Sequence, residues 1–214
     1  MIYLEQTLNI TPATPEALDS FIKVSQELLV PACKRLGTRL LVAWFSTYEW
    51  FCQVTHVFEF DDMGALKDFR IKASQDKIWG EYTAELEEFA PERRTRLLEP
   101  IGAVSPEVLH NAIEESQKKA LKVYSLATLE VTPNKMPDFI EFVKEMSKII
   151  PIIASWRPIG GNPNEVNYIW KGAIGPKYYQ PAVEGMKEWF RNLREMAPKE
   201  RLVQIFPLPY SELK

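Results

Sequence analysis

The chain has 214 residues, of which 46% are hydrophobic and 26% charged, and its formal net charge is −3 at pH 7. This balance is typical of one large globular domain or two small ones, and the charge argues against broad affinity for nucleic acid or an anionic membrane. Cys33 and Cys52 have no metal-type spacing, so free thiols in a reducing cytoplasm are expected. The first residues lack a signal-peptide pattern, and the apolar run "IIPIIASW" is too short to cross a bilayer.

The first half of the chain predicts the element order β-α-β-β-α-β. A strand, "IYLEQTLNITP", precedes a long helical segment that Thr14 caps and Gly37 ends. A hairpin follows, and its second strand lies in the stretch "QVTHVFEFDD", whose two aspartates are expected to cap the next helix. That helical region runs from Met63 to Ala90 with a break near Gln75, and the strand "RRTRLLEP" closes the unit.

A connecting helix, capped by Ser105, is predicted over residues 101–121. The second half then repeats the order of the first. "VYSLATLEVTP" aligns with the opening strand, a helix is expected from Tyr178 to Met196, and "ERLVQIFP" closes the unit.

The spacing of aromatic residues supports the repeat. Trp44 precedes His56 by 12 residues, and Trp156 precedes Tyr168 by the same 12 residues. The predicted fold is α+β, with ferredoxin-like repeats over residues 1–100 and 122–214 that form one intramolecular α/β barrel.

The first half resembles the NIPSNAP family, a branch of the dimeric α/β-barrel superfamily. The resemblance is carried by "PACKRLG", by "QVTHVFEFDD" with a Trp before its histidine, and by "TRLLEP". In the second half "EVNYIWKGA" replaces the central block. Several positions that are often polar or aromatic in the family differ here, which predicts a more apolar cavity. These positions are Leu4, Gln6, Leu8 and Cys52.

The candidate site is a mostly apolar cavity between the two sheets. His56 and Tyr168, from equivalent strands, are its candidate catalytic residues. Three roles are open for His56: buried packing, general acid–base catalysis, and axial ligation of haem, which the resemblance allows. The candidate substrate-binding residues are Trp44, Phe58, Trp156, Trp170 and Arg96.

The expected function is that of a small-molecule enzyme without a cofactor, in biosynthesis: an isomerase, cyclase, lyase or oxygenase. Its substrate would be hydrophobic, aromatic or polyketide-like. The alternative that the resemblance allows is a non-catalytic ligand-binding or scaffold protein. The sequence has no metal-ligand spacing and no phosphate-binding loop, so no metal or cofactor is expected. Trp50 and Phe51, in the first hairpin turn, indicate either a lid or an association patch, which leaves a homo-oligomer open.

Overall fold

The computed structural model describes residues 1–172 and 186–214. In this part of the chain, strands form a closed antiparallel barrel in the order β1-β3-β2-β8-β5-β7-β6-β4. The strands are β1 (Ile2–Asn9), β2 (Arg39–Ser46), β3 (Gln53–Phe60), β4 (Arg93–Pro100), β5 (Tyr124–Glu130), β6 (Ile152–Pro158), β7 (Glu165–Lys171) and β8 (Lys199–Pro207).

Helices cover the outside of the barrel. The first one, α1 (Pro15–Val24), continues through a π turn (Ser25–Leu29) into α2 (Val30–Leu36). The others are α3 (Met63–Ala73), α4 (Lys77–Phe89), α5 (Pro106–Lys118), α6 (Met136–Ser147) and α7 (Met186–Met196). Part of the helix predicted from Tyr178 lies outside the described residues. None of the described helices is both long enough and apolar enough to span a membrane.

The two halves of the barrel have the same topology. The first half has the strand order β2-β3-β1-β4 and the second has β6-β7-β5-β8. Each hairpin has a register shift at the equivalent place, between Leu40 and Val42 in the first half and between Ile152 and Ala154 in the second. The predicted fold class, an α+β barrel made of ferredoxin-like units within one chain, is confirmed.

Most of the helix-capping residues predicted from the sequence cap their helices in the structure. Thr14 accepts a hydrogen bond from the backbone of α1, and Asp62 does the same for α3. Gly37 ends α2 in the left-handed conformation at φ 71°. Ser105 is at the start of α5, but its hydroxyl donates to Glu107 instead of capping the helix.

Buried apolar side chains form three layers. One lies inside the barrel, and each of the other two lies between one half of the sheet and its covering helices. The connecting helix α5 closes one end of the barrel, because Leu109, Ala112 and Ile113 pack into the interior layer. His110 on this helix bonds to Glu59 of β3 at 2.8 Å. The opposite end, here called the mouth, leads into a cavity.

Candidate functional site

The cavity at the mouth has a volume of about 460 Å³. It is large enough for a small organic ligand. Its walls are formed by strands of both halves and by the turn between β2 and β3. The residues that line it include Glu5, Trp44, Arg96, Leu126, Thr128 and Val203.

A hydrogen-bonded ion cluster lies on one side of this cavity. Glu5 and Arg96 are directly opposite each other on β1 and β4. The Arg96 Nε atom donates to Glu5 Oε1 at 2.5 Å, and its Nη2 atom lies 3.3 Å from Glu5 Oε2. Arg96 also bonds to Glu165 of β7, which in turn accepts from Asn167 at 3.0 Å. Burial alone would lower the pKa of Arg96, but Glu5 and Glu165 raise it overall, so the guanidinium stays charged.

The second half has apolar residues at the equivalent positions. Tyr3 of β1 aligns with Tyr124 of β5, so Glu5 corresponds to Leu126. Leu126 is opposite Val203 on β8, just as Glu5 is opposite Arg96 on β4. The cavity therefore has a polar wall, made of Glu5 and Arg96, and an apolar wall, made of Leu126 and Val203.

Two of the predicted substrate-binding residues, Trp44 and Arg96, line the cavity. Trp156 also faces the barrel interior, but it lies deeper, with its ring centroid 5.2 Å from that of Tyr3. These three side chains thus have the inward orientation that a barrel ligand would require.

The expectation that His56 and Tyr168 share a cavity is wrong. His56 packs against Phe21 and Phe58 in the helix-covered layer of the first half, and Tyr168 lies in that of the second. Phe58 and Trp170 belong to the same two outer layers. The cause is strand register: Trp44 is opposite Thr55, whereas His56 is opposite Ala43. Since neighbouring residues on a strand point to opposite faces, Trp44 faces inward and His56 faces the helices.

His56 is fully buried among aromatic residues. Its ring stacks on Phe21 of α1 with centroids 6.1 Å apart. Its Nε2 atom lies 2.8 Å from the hydroxyl oxygen of Tyr210, and its Nδ1 atom has no partner among the described residues. Burial lowers the pKa of His56 to about 3, so the imidazole is neutral at physiological pH.

The cavity is more polar than the sequence predicted. Besides the ion cluster, hydroxyl groups of Thr7, Ser46, Thr55 and Thr128 line it. The available signal was the repeat itself, because a charged Glu5 aligns with an apolar Leu126 at the equivalent position. Among the described residues, no three His, Cys, Asp or Glu side chains are grouped as metal ligands would be.

The fold has the architecture known as the dimeric α/β barrel, with both halves of the barrel in one chain. No protein-family model matches the sequence, and no curated protein matches it. A structure from Lactobacillus acidophilus NCFM, described as a "putative monooxygenase", is similar over 96% of this chain and 93% of that chain, with 15% identity and a TM-score of 0.65. One from Fusobacterium nucleatum with the same description covers 97% of this chain and 92% of that chain, with 10% identity and a TM-score of 0.62.

NIPSNAP proteins are also among the structures that the chain resembles. A NIPSNAP domain protein from Burkholderia xenovorans covers 47% of this chain and 94% of that chain, with 19% identity and a TM-score of 0.42. At these identities, the two similarities with TM-scores of 0.65 and 0.62 show a common fold and do not show a common activity.

Proposed function

We propose that the protein is a small-molecule enzyme that transfers a proton in the barrel cavity without a cofactor. The supporting observation is the Glu5–Arg96 pair, which faces the apolar wall across the cavity. The second half fills the equivalent positions with Leu126 and Val203, so barrel packing alone does not require charges there. Partly buried ion pairs contribute little net stability, which makes a chemical role the better reason for this one.

The charge of the ion cluster indicates which substrates fit. Glu5, Glu165 and Arg96 together carry a formal charge of −1, so this part of the cavity favours a neutral carbonyl over an anionic group. Trp44 and the apolar wall provide a surface for an apolar body. The proposed substrate is therefore an amphipathic ketone or related compound with an aromatic or polyketide-like body.

The longest contact of the cluster suggests how the proton moves. Arg96 Nη2 lies 3.3 Å from Glu5 Oε2, a weaker contact than the 2.5 Å bond at Nε. A substrate carbonyl oxygen can take the hydrogen bond of Nη2 and leave Oε2 free. Glu5 Oε2 then accepts the proton from the carbon next to the carbonyl, while Arg96 stabilises the enolate oxygen that forms. Such a step is a common start for isomerases, cyclases, lyases and oxygenases.

One observation favours a non-catalytic binding protein as the second candidate. Both carboxylate oxygens of Glu5 lie near Arg96, so the ion pair occupies the oxygens that would have to accept the proton. In that case the cavity binds the same amphipathic ligands without turnover.

Proton exchange from deuterated water separates the two candidates. The probe is 2-tetralone, a neutral aromatic ketone with acidic carbon-bound protons, and deuterium incorporation is followed by NMR. We expect wild-type protein to accelerate exchange, and Glu5→Gln to reduce the rate by roughly 10²-fold, the usual weight of a general base.

The matched control is Glu99→Gln, which removes a carboxylate from an ion pair with Arg157 that does not line the cavity. This variant should exchange the ketone at the wild-type rate. Equal rates for Glu5→Gln and wild type would exclude Glu5 as the base. Saturable binding of the ketone without accelerated exchange would favour the binding protein.

A further inference from the structure

Two arginines at the mouth hold one carboxylate between them. Arg94 near the start of β4 donates to Glu49 Oε2, and Arg201 near the start of β8 donates to Glu49 Oε1 at 3.1 Å. Glu49 lies in the turn between β2 and β3. All three side chains line the cavity. Each oxygen of the carboxylate thus receives one arginine, which is a geometry suited to anion recognition.

The two arginines are equivalent in the two halves of the barrel. Pro100 ends β4 and Pro207 ends β8, and the alignment of these strands pairs Arg94 with Arg201. The carboxylate between them has no such counterpart. In the second half, the turn between β6 and β7 has Gly161 where the first half has Glu49. Two related cations therefore converge on a single anion supplied by one turn.

The mouth and the ion cluster have opposite charge. Arg94, Arg201 and Glu49 carry a formal charge of +1, whereas the cluster around Arg96 carries −1. Arg94 and Arg96 are two residues apart on the same strand and both line the cavity, which separates their Cα atoms by about 7 Å. A molecule in the cavity can therefore reach both places at once.

We propose that Arg94 and Arg201 form an anion-binding subsite at the mouth, which takes an acidic group of the ligand that fills the cavity. In this structure Glu49 fills the subsite with its own carboxylate. A ligand carboxylate or phosphate replaces it, and the Glu49 side chain moves away from the two arginines. This proposal depends on the proposed function in one respect only, namely that the anion belongs to the small molecule that binds in the cavity.

The electrostatics and packing of the turn agree with this exchange. Partial burial would raise the pKa of Glu49, but Arg94 and Arg201 lower it overall, so an anion is the form that the subsite stabilises. The guanidinium carbon of Arg201 lies 5.3 Å from the centre of the Tyr48 ring. Tyr48 and Phe51 of the same turn are exposed, at 48% and 57%, whereas Trp50 Nε1 donates to the backbone oxygen of Ile10 at 2.8 Å and Cys52 is buried. The end of the turn is therefore anchored, and the exchange requires only that the Glu49 side chain leave the two arginines.

Titration with two phosphates tests the subsite. Inorganic phosphate reports on the charge alone, and 2-naphthyl phosphate adds an aromatic body. Because Glu49 competes as a tethered anion at millimolar effective concentration, Glu49→Gln should tighten the binding of both by about fivefold or more. 2-Naphthyl phosphate should also bind more tightly than inorganic phosphate to every variant that keeps both arginines.

The controls remove the arginines or change the charge elsewhere. Adding Arg94→Gln and Arg201→Gln to Glu49→Gln should abolish the gain. Glu114→Gln, on the exposed face of α5, makes the same change in net charge and should leave the affinity within about twofold. Circular dichroism checks folding, which these exposed ion pairs affect little.

Three outcomes would overturn the proposal. Glu49→Gln could bind phosphate no more tightly than wild type, or the gain could persist without the two arginines. Equal affinity for the two phosphates would show that a ligand bound at the subsite does not also contact the cavity. None of these binding measurements depends on Glu5 as a base, so failure of the subsite and failure of the proposed enzyme activity are distinguishable.

Discussion

At the scale of single residues, His56 connects two distant parts of the chain. It lies on β3 of the first half, and its hydrogen-bond partner Tyr210 follows the last strand of the second half. The ring is enclosed by Phe21, Phe58 and Tyr210. This environment fits the packing role, since the imidazole has no access to the barrel cavity where a substrate would bind.

The buried imidazole predicts a loss of stability in acid. Folding keeps His56 neutral with a pKa of about 3, whereas the unfolded chain takes up a proton below about 6.5. The unfolded state therefore binds more protons between these values, and the free energy of unfolding falls as the pH falls through this window. We expect His56 to account for roughly 2 kcal/mol of the loss between pH 6.5 and pH 5.

Urea unfolding of wild type and His56→Gln at a series of pH values measures this effect. The variant should be less stable at pH 7 but should lose less stability on acidification. Leu121→Ala, at an exposed side chain that carries no titratable group, should keep the acid dependence of wild type. If His56→Gln and wild type have parallel pH profiles, the imidazole does not titrate as the structure implies.

At the scale of elements, two glycines predict opposite effects of the same substitution. Gly37 ends α2 at φ 71°, and Gly80 lies within the helix α4. An added Cβ would meet no atom within 4 Å at either position. The result therefore depends on the backbone alone. Gly37→Ala should destabilise by about 1 kcal/mol, because residues with a side chain disfavour the left-handed region.

Gly80→Ala should instead stabilise by roughly 0.5–1 kcal/mol, because alanine restricts the unfolded chain and favours the helix. Thermal unfolding of both variants checks the pair of signs. A gain in stability for Gly37→Ala would contradict the assigned helix end.

The strands show why the sequence predicted the secondary-structure elements but not which side chains point into the barrel. The repeat and the turn residues were sufficient for element order and for most caps. Strand β3, however, is buried on both sides, by the barrel interior and by the helices. An alternating pattern marks the interior only when the other face is polar. The 12-residue spacing from Trp44 to His56 therefore identified equivalent positions without showing that the two residues face opposite ways.

At the scale of the whole molecule, the barrel is closed by strand pairings between the halves that involve few residues. The seam between β2 and β8 pairs only Trp44 with Pro207 and Phe45 with Phe206. Residues 208–214 extend this seam. Leu208 and Leu213 donate backbone hydrogen bonds to β2, and the Ser211 hydroxyl accepts one from Ala43. The chain after β8 thus holds the two halves together.

Leu213 predicts how much this segment contributes. Its side chain is fully buried in the barrel interior layer. Leu213→Ala should lower the free energy of unfolding by about 2–5 kcal/mol, through lost burial and the cavity that remains. Leu121→Ala, at a side chain that is 40% exposed, should change it by about 0.5 kcal/mol or less. Similar stabilities for the two variants in denaturant would show that the segment does not hold the barrel closed.

The cavity could be predicted only in part, because its ion cluster depends on both halves. Glu5 and Arg96 come from the first half and Glu165 from the second, and their contact requires the closed barrel. The sequence suggested that Arg96 could face inward, but gave no reason to place Glu165 beside it. The register between strands that are distant in sequence supplied this information.

The difference between the polar and apolar walls has a stereochemical consequence. A planar enolate lying between them presents one face to Glu5 and the other to Leu126 and Val203. In the proposed mechanism, the proton returns from the carboxylate to one face only, and the product is a single enantiomer. A homodimer with a true twofold axis offers the same groups to both faces. Duplication within one chain thus allows the base to stand on one face of a bound substrate and apolar side chains on the other.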